Sequence, residues 1–408
     1  MRILHTADWH LGKRLDGFSR MEEQTEVLRE ICEIAEREEV DVVLIAGDLF
    51  DTFNPPTEAT ELFYKTVKRL ANQGKRPVVA IAGNHDSPDR IEAPDPLARE
   101  CGIILAGYPH SMIRPFSLDC ELHVTRTAPG FLELQLPGST IPLRILLTPY
   151  ANEFRLRTYL GDGETEDELR NMLGMHWQKL ADTYCHAEGV NVLLAHLYFM
   201  KKDGQPPEEP EDERPIAHIG GAQAIYSQNI PSQIQYAALG HLHRYQVMDT
   251  EPCPVVYSSS PLAYSFSEAN QTKYVVIVEA QPGQPATYRP VALSKGRRLL
   301  RQRFESIEEA VNWLRTNPDT LVEITMVTDT YLTAAERRQL YAAHSGIVAL
   351  IPEVRNAQDL SSRKSANIDL TKGMEDLFAE YFKHKYTQEP NDRLINLFRE
   401  ALASEEDE

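Results

Sequence analysis

Short apolar runs rich in Val, Ile and Ala alternate with amphipathic stretches at the start of the chain. Arg2 to His5, Val42 to Ala46 and Val78 to Ala82 have the length and β-branched content of strands buried on both faces. Between them, Met21 to Glu38 puts Leu28, Ile31 and Ala35 at helical spacing, and Thr57 to Gln73 does the same with Phe63, Val67 and Leu70. Thr57, following Pro55-Pro56, is the expected N-cap of the second helix, and Gly74 its stop. The order β-α-β-α-β predicts a layered α/β domain.

Further strands are expected at Ile145 to Leu147, Val192 to Leu194, Tyr236 to Leu239, Val255 to Ser258 and Tyr274 to Glu279. A stretch from Lys201 to Gly221, rich in Pro and acid, breaks the pattern and is expected to be an exposed loop. After about residue 280 the character changes. A basic segment, Lys295 to Arg303, leads into a helix (Glu308 to Leu314), a strand (Leu321 to Val327), a helix (Ala334 to Ala343) and a strand (Ile347 to Pro352), which predicts a small α+β domain. Beyond Asp369, Met374, Leu377, Phe378, Tyr381 and Phe382, and then Leu394, Leu397, Phe398, Ala401 and Leu402, mark two amphipathic helices split by Glu389-Pro390-Asn391. The expected division is therefore 1–280, 281–368 and 369–408, which suits a chain of 408 residues.

Apolar residues at 42% and charged residues at 25% exclude collagen-like and wholly disordered chains. No apolar run approaches the roughly 18 residues of a membrane span, and the N-terminus lacks the apolar core of a signal peptide, so a cytoplasmic protein without a membrane is expected. The cysteines Cys32, Cys101, Cys120, Cys185 and Cys253 form no Cys-x-x-Cys pair, which argues for buried thiols rather than disulfides or a thiolate zinc site. Forty-two basic against 61 acidic residues give a net charge of −19, opposite to a simple nucleic-acid binder. Much of the acid lies in stretches that look solvated, Glu208 to Glu213 and Glu405 to Glu408.

Five strand-like runs end in side chains able to bind metal: His5-Thr6-Ala7-Asp8-Trp9-His10, Ala46-Gly47-Asp48-Leu49-Phe50-Asp51, Ala82-Gly83-Asn84-His85-Asp86, Leu194-Ala195-His196 and Leu239-Gly240-His241-Leu242-His243. In open α/β sheets the carboxyl ends of the strands share one crevice, so these loops are expected to meet. Asp8, His10, Asp48, Asn84, His196, His241 and His243 offer imidazole, carboxylate and amide, a set suited to borderline divalent ions. Seven ligands exceed one tetrahedral shell. Two ions about 3.5–4 Å apart, bridged by a carboxylate and a water, can hold the attacking and leaving oxygens of a displacement at phosphorus. Asp48 is the natural bridge.

The order Asp-x-His, Gly-Asp-x-x-Asp, Gly-Asn-His-Asp, His, Gly-His-x-His resembles that of the calcineurin-like metallophosphoesterases. The local wording of Leu4 to Gly12, Ala46 to Thr52, Gly83 to Ser87 and Gly240 to Arg244 is similar to the branch formed by nuclease subunits of bacterial double-strand-break processing complexes. Ser260-Pro261-Leu262-Ala263-Tyr264-Ser265-Phe266, followed by Lys273-Tyr274-Val275, resembles that branch too. The resemblance covers about the first 280 residues strongly and the remainder in layout.

It implies a four-layer α-β-β-α sandwich with a smaller α+β capping domain and C-terminal helices. It assigns Asp8, His10, Asp48 and His243 to one ion, and Asp48, Asn84, His196 and His241 to the other, with manganese the usual metal. His85 would face the phosphate and assist the leaving oxygen, and Asp51 would orient its ring and favour the protonated form. Ser259 stands where the branch leads one to expect Gly before Ser-Pro, a departure outside the ligand set.

The resemblance further implies that the basic run, with Arg297, Arg298 and Arg301 as candidates, contacts DNA, and that the C-terminal helices grip a coiled-coil ATPase. A homodimer within a heterotetramer, associated with the bacterial nucleoid, would open hairpins and degrade duplex ends 3′ to 5′ with ATP. Two rivals use the same residues: a phosphatase or cyclic-nucleotide phosphodiesterase acting on small substrates, and a catalytically silent scaffold binding DNA or an ATPase. Trp9 is expected in the core rather than against substrate, Asp86 either as a turn cap before Ser87-Pro88 or as a support for His85, and His5, His110, His123, His176, His186, His218, His344 and His384 as structural or surface residues.

Overall fold

The structure is a computed structural model, and it describes residues 1–151, 166–202, 204, 224–329, 332–355, 377, 378 and 395. Most of the expected loop 201–221, the acidic tail, His218, His384 and all but Leu377, Phe378 and Ile395 of the two C-terminal amphipathic stretches lie outside the described residues. Residues 1–326 with 333–351 form one compact unit; 327–332 with 352–408 form a second.

The chain opens with β1 (Arg2–Thr6), the short hairpin β2 (Arg14–Leu15) and β3 (Phe18–Ser19), then α1 (Met21–Arg37), β4 (Val42–Ala46), α2 (Thr57–Ala71) and β5 (Val78–Ile81). Two short helices, α3 (Pro88–Glu92) and α4 (Asp95–Ala98), precede β6 (Ile103–Ala106), β7 (His123–Ala128), β8 (Phe131–Gln135) and β9 (Pro142–Thr148). Then come α5 (Glu166–Tyr184), β10 (Val190–His196), the short β11 (Phe199–Met200) and β12 (Ile225–Tyr226), and β13 (Tyr236–Gly240), β14 (Gln246–Asp249) and β15 (Val255–Tyr257). The series ends with β16 (Tyr274–Glu279), β17 (Thr287–Ala292), β18 (Arg298–Phe304), α6 (Ile307–Thr316), β19 (Thr320–Thr328), α7 (Ala334–Ala343) and β20 (Ile347–Val354).

Two sheets face each other. The first runs β17-β16-β1-β4-β5-β6, with β1, β4, β5 and β6 parallel and β16 and β17 antiparallel at one edge. The second runs β14-β15-β13-β10-β9-β8-β7, with β15, β13, β10 and β9 parallel at its centre. Alternate residues of each strand point to opposite faces. Ile3, Val42, Leu44 and Val79 therefore join Ile145, Val192, Leu194 and Ala238 in the core between the sheets. Their alternates, Leu4, Val43, Ile45 and Val78, pack under α1 and α2 with Leu28, Ile31, Phe63 and Val67. On the far side Leu193, Ala237 and Leu239 pack against Trp177, Leu180 and Ala181 of α5. The four layers follow from strands apolar on both faces, each large aliphatic side chain buried there contributing about 1.5–3 kcal/mol.

Two sequence expectations need adjustment. Thr57 is the first residue of α2 rather than its cap; Pro56, held extended at φ −63° and ψ 153°, takes the cap position. The sheet also crosses the expected boundary at residue 280, because β17 pairs with β16 from Tyr274–Ala292 to Glu279–Thr287.

After β17 the chain is tied to α1. Glu30 accepts hydrogen bonds from the Ser294 amide and hydroxyl and from the Lys295 amide, and Glu23 holds Arg297. The sheet β18-β19-β20 follows, with Leu299 and Leu321 packed on Leu15 and Phe266. Among the described residues no helix is long and apolar enough to cross a membrane.

Candidate metal centre

The parallel strands of both sheets carry the expected ligands on the loops at their carboxyl ends, as the crevice rule for α/β sheets requires. β1, β4 and β5 of the first sheet lead to Asp8 and His10, to Asp48 and Asp51, and to Asn84 and His85; β10 and β13 of the second lead to His196, His241 and His243. These side chains come together in three groups whose ligand atoms lie within 4.8 Å of one another: Asp8, His10 and His243; Asp48, His196 and His241; and His10, Asp51 and His85 beside them. Asp48 Oδ2 lies between the first two groups, 3.4 Å from His10 Nε2 and 3.4 Å from His196 Nε2. Asn84 Oδ1 joins the second, 3.0 Å from His196 Nε2 and 2.9 Å from His241 Nδ1.

The backbone is bent to achieve this. Asp8, His10, Asp48 and His241 all have positive φ, at 54°, 42°, 48° and 107°, conformations that cost of order 1–3 kcal/mol each outside glycine. Close approach is enabled by Gly83, whose missing Cβ would lie 2.1 Å from Asp48 Oδ1, and by Gly240, where it would lie 1.8 Å from the Ala46 carbonyl oxygen of the other sheet.

The donor set fits divalent ions. His10 Nε2 and His243 Nε2 face each other at 3.0 Å. Asp8 Oδ2 and His241 Nε2 are buried without a hydrogen-bond partner among the described residues. Converging lone pairs and orphaned buried atoms are what a cation satisfies. Burial lowers the His10 pKa to about 4 despite Asp48, and burial with the neighbouring His196 lowers His241 to about 3, so both rings are neutral as ligation requires. Burial also opposes charge on His196, yet Asp48 and Asp8 raise it to about 9. Burial raises Asp8 to about 6 against nearby imidazoles, while His196 and His10 hold Asp48 well below the carboxylate range in spite of burial.

His85 is half-buried, its ring 4.8 Å from that of His10 in an edge-on arrangement. The expected role of the Asp51 side chain is corrected here. His85 Nδ1 hydrogen-bonds to the backbone carbonyl of Asp51 at 2.8 Å, while the carboxylate faces His10 Nδ1 at 3.5 Å and Lys13 Nζ at 3.1 Å. Burial opposes ionisation of Asp51, but His10 and Lys13 hold its pKa at about 2.

Asp86, expected as a turn cap or a support for His85, is fully buried and accepts the backbone amides of Leu49, Phe50 and Gly83. It fastens the Asp48 loop to the Asn84 loop. Its position inside Gly-Asn-His-Asp was the available signal. Trp9 is core, its indole N–H donating to Thr6 Oγ1. Ser259 has φ 81°, the left-handed conformation for which Gly was expected, and its hydroxyl accepts the Tyr274 amide.

The basic run divides. Arg297 is committed to Glu23, Arg301 pairs with Glu323 at 2.5 Å, and Arg298 is exposed. Arg297, one of the candidates for DNA contact, also carries an internal role, since two of its guanidinium nitrogens and its amide are spent on one carboxylate.

A family model described as calcineurin-like phosphoesterase matches residues 1–245. The SbcD subunit of the SbcCD nuclease of Bacillus subtilis (strain 168) is 35% identical over 100% of this chain and 99% of its own length. Its namesake in Rhodobacter capsulatus is 32% identical over 71% of this chain and 69% of its own. The family model spans every candidate ligand assembled above, and the chain belongs to the calcineurin-like phosphoesterases and, within them, to the SbcD family of nuclease subunits.

Proposed function

We propose that this chain is a metal-dependent DNA nuclease, with Asp8, His10, Asp48 and His243 holding one divalent ion and Asp48, Asn84, His196 and His241 the other. The observation that carries the reading is the convergence of seven ligands from five loops of two sheets into two adjoining groups. Two such ions supply an activated water and neutralise charge on a phosphodiester.

The protein's own part is orientation and proton transfer. A carbonyl oxygen can only accept, so His85 Nδ1 carries the hydrogen it shares with Asp51, and Nε2 is left to meet the phosphate. In the imidazolium form Nε2 donates to the leaving oxygen. Asp48 Oδ1 accepts the His85 amide at 2.9 Å, which fixes the His85 backbone relative to the carboxylate that would be shared by both ions. Asp51 in turn steadies His10 and Lys13.

The finer reading takes manganese as the metal, DNA hairpins and duplex ends as substrates, and an SbcC-type coiled-coil ATPase as partner in a heterotetramer containing two copies of this chain, working in the cytoplasm at the nucleoid. The full-length likeness to an SbcD subunit supports it. The chain through β17 acts as nuclease, the segment from β18 to residue 368 as capping domain and 369–408 as the ATPase-binding segment; exposed Arg298 is the remaining first choice for phosphate contact.

The test is cleavage of an end-labelled hairpin in manganese by wild type and His85→Gln. Wild-type cutting, with the variant retaining metal but inactive, is the expected result. Hydrolysis of small phosphate esters with no DNA cleavage, alone or with the ATPase, would replace this reading by the small-substrate phosphatase.

A further inference from the structure

The stretch Ser258–Lys273 follows the last two histidines and supplies no ligand, yet it wraps the outer side of His243. Glu268 lies at its centre, 1% exposed. Its Oε1 accepts the Tyr264 and Ser265 amides at 3.0 and 3.1 Å, and its Oε2 takes the ammonium of Lys273. Lys273 also donates to the His243 carbonyl at 2.8 Å and to Ser260 Oγ at 3.0 Å. This scaffold leaves Oε1 facing His243 Nδ1 at 3.5 Å, while His243 Nε2 faces His10 on the opposite side of the ring.

We infer that Glu268 is a positioning residue for the ion held by Asp8, His10 and His243: its carboxylate turns the His243 ring so that Nε2 points into the site. The inference rests on the two-ion reading given above. A histidine that ligates through one nitrogen needs its other nitrogen held by an acceptor, which fixes tautomer and ring angle and makes the ligand more basic. Two of the other rings have a like neighbour: the Ala46 carbonyl hydrogen-bonds to His196 Nδ1 at 2.7 Å, and the Asp51 carboxylate faces His10 Nδ1 at 3.5 Å. Glu268 stands to His243 as Asp51 stands to His10. Lys273 keeps the carboxylate ionised and anchored from behind, so a buried charge is neither unpaired nor free to turn away. Tyr264 closes the arrangement, its ring edge-on to both His10 and His243 at 5.5 and 6.1 Å between centroids.

The effect is confined to one ion. Among the described residues Glu268 meets Tyr264, Ser265, Lys273 and, of the seven candidate ligands, His243, so the second ion should not sense its loss.

Titration of the metal-free full chain with Mn2+ by calorimetry tests this, using Glu268→Gln and Lys273→Gln, with thermal melts of each metal-free protein. Glu268→Gln keeps an oxygen for the two amides but removes the charge facing the imidazole. It should weaken one of two binding steps about 10- to 100-fold and leave the other unchanged. Lys273→Gln, which removes the anchor behind the carboxylate, should lower the melting temperature and weaken the same step, leaving the other unchanged. Two wild-type-like steps in Glu268→Gln overturn the inference, as does weakening of both steps by either variant, which would make the segment's fold the cause. If Glu268→Gln does not fold, Glu268→Asp decides: selective weakening of the same step upholds the inference and unchanged affinity overturns it. Fewer than two steps in wild type would instead defeat the two-ion reading itself.

Discussion

Arg297 lies across Glu23 with Nε and a terminal guanidinium nitrogen on one carboxylate oxygen, at 3.0 and 2.8 Å, and its own amide on the other. Arg20 takes the remaining positions on the same carboxylate at 2.9 Å. A residue in a basic run has thus become the fastening between α1 and the start of β18. Arg297→Ala should cost about 1–2 kcal/mol of stability, between the values of an exposed pair and a buried charge-assisted bond, with the salt dependence of DNA binding unchanged. Arg298→Ala should do the reverse, leaving stability within about 0.5 kcal/mol and reducing the salt slope. Urea melts and salt-dependent binding isotherms check both.

Glu23 gives this fastening a pH dependence. Burial opposes its charge, but Arg20 and Arg297 hold its pKa below the ordinary 4.5. A carboxylate depressed in the folded state binds fewer protons than in the unfolded chain, so its stabilisation is full above pH 4.5 and fades as pH falls through the depressed value. Urea melts across pH 3 to 6, about the range that matters for a carboxylate, should show a shallower acid loss in Glu23→Gln than in wild type.

Asp86 holds three amides of the two loops that carry Asp48 and Asn84. Asp86→Ala leaves those buried donors unsatisfied, and about 3 kcal/mol or more of stability should be lost. Because both loops loosen, Mn2+ affinity should fall along with the melting temperature. A variant that melts early but binds metal normally would confine Asp86 to folding.

Asp51 separates backbone from side chain. Asp51→Asn retains the carbonyl that holds His85 and loses the charge shared by His10 and Lys13. Metal affinity should fall while turnover at saturating Mn2+ stays within a few-fold of wild type. A collapse of turnover at full metal occupancy would return the side chain to the role of orienting His85.

Much of this was legible because strand and ligand are adjacent in sequence. A run such as Val42–Ala46 announces a buried strand, and Asp48 two residues later announces the site. β8 and β17 were not legible: β8 carries Glu133, which β9 neutralises through Arg144, and β17 is half-exposed and contains Pro290, so neither shows a strand's apolar pattern. The contacts of Asp51 and Arg297 were not legible for another reason. Residue type does not say whether a main-chain oxygen makes a contact, or which distant carboxylate will claim a guanidinium.

Gly240 presses on the Ala46 carbonyl with no room for even a methyl group between the two sheets. His241 and His243 follow Gly240, and Asp48 follows Ala46, so the separation of ligands from opposite sheets is gauged by main chain meeting main chain. Exchange of any ligand side chain leaves that gauge untouched. Variants made to prefer another ion will therefore inherit the same spacing, and must achieve their selectivity through donor chemistry alone.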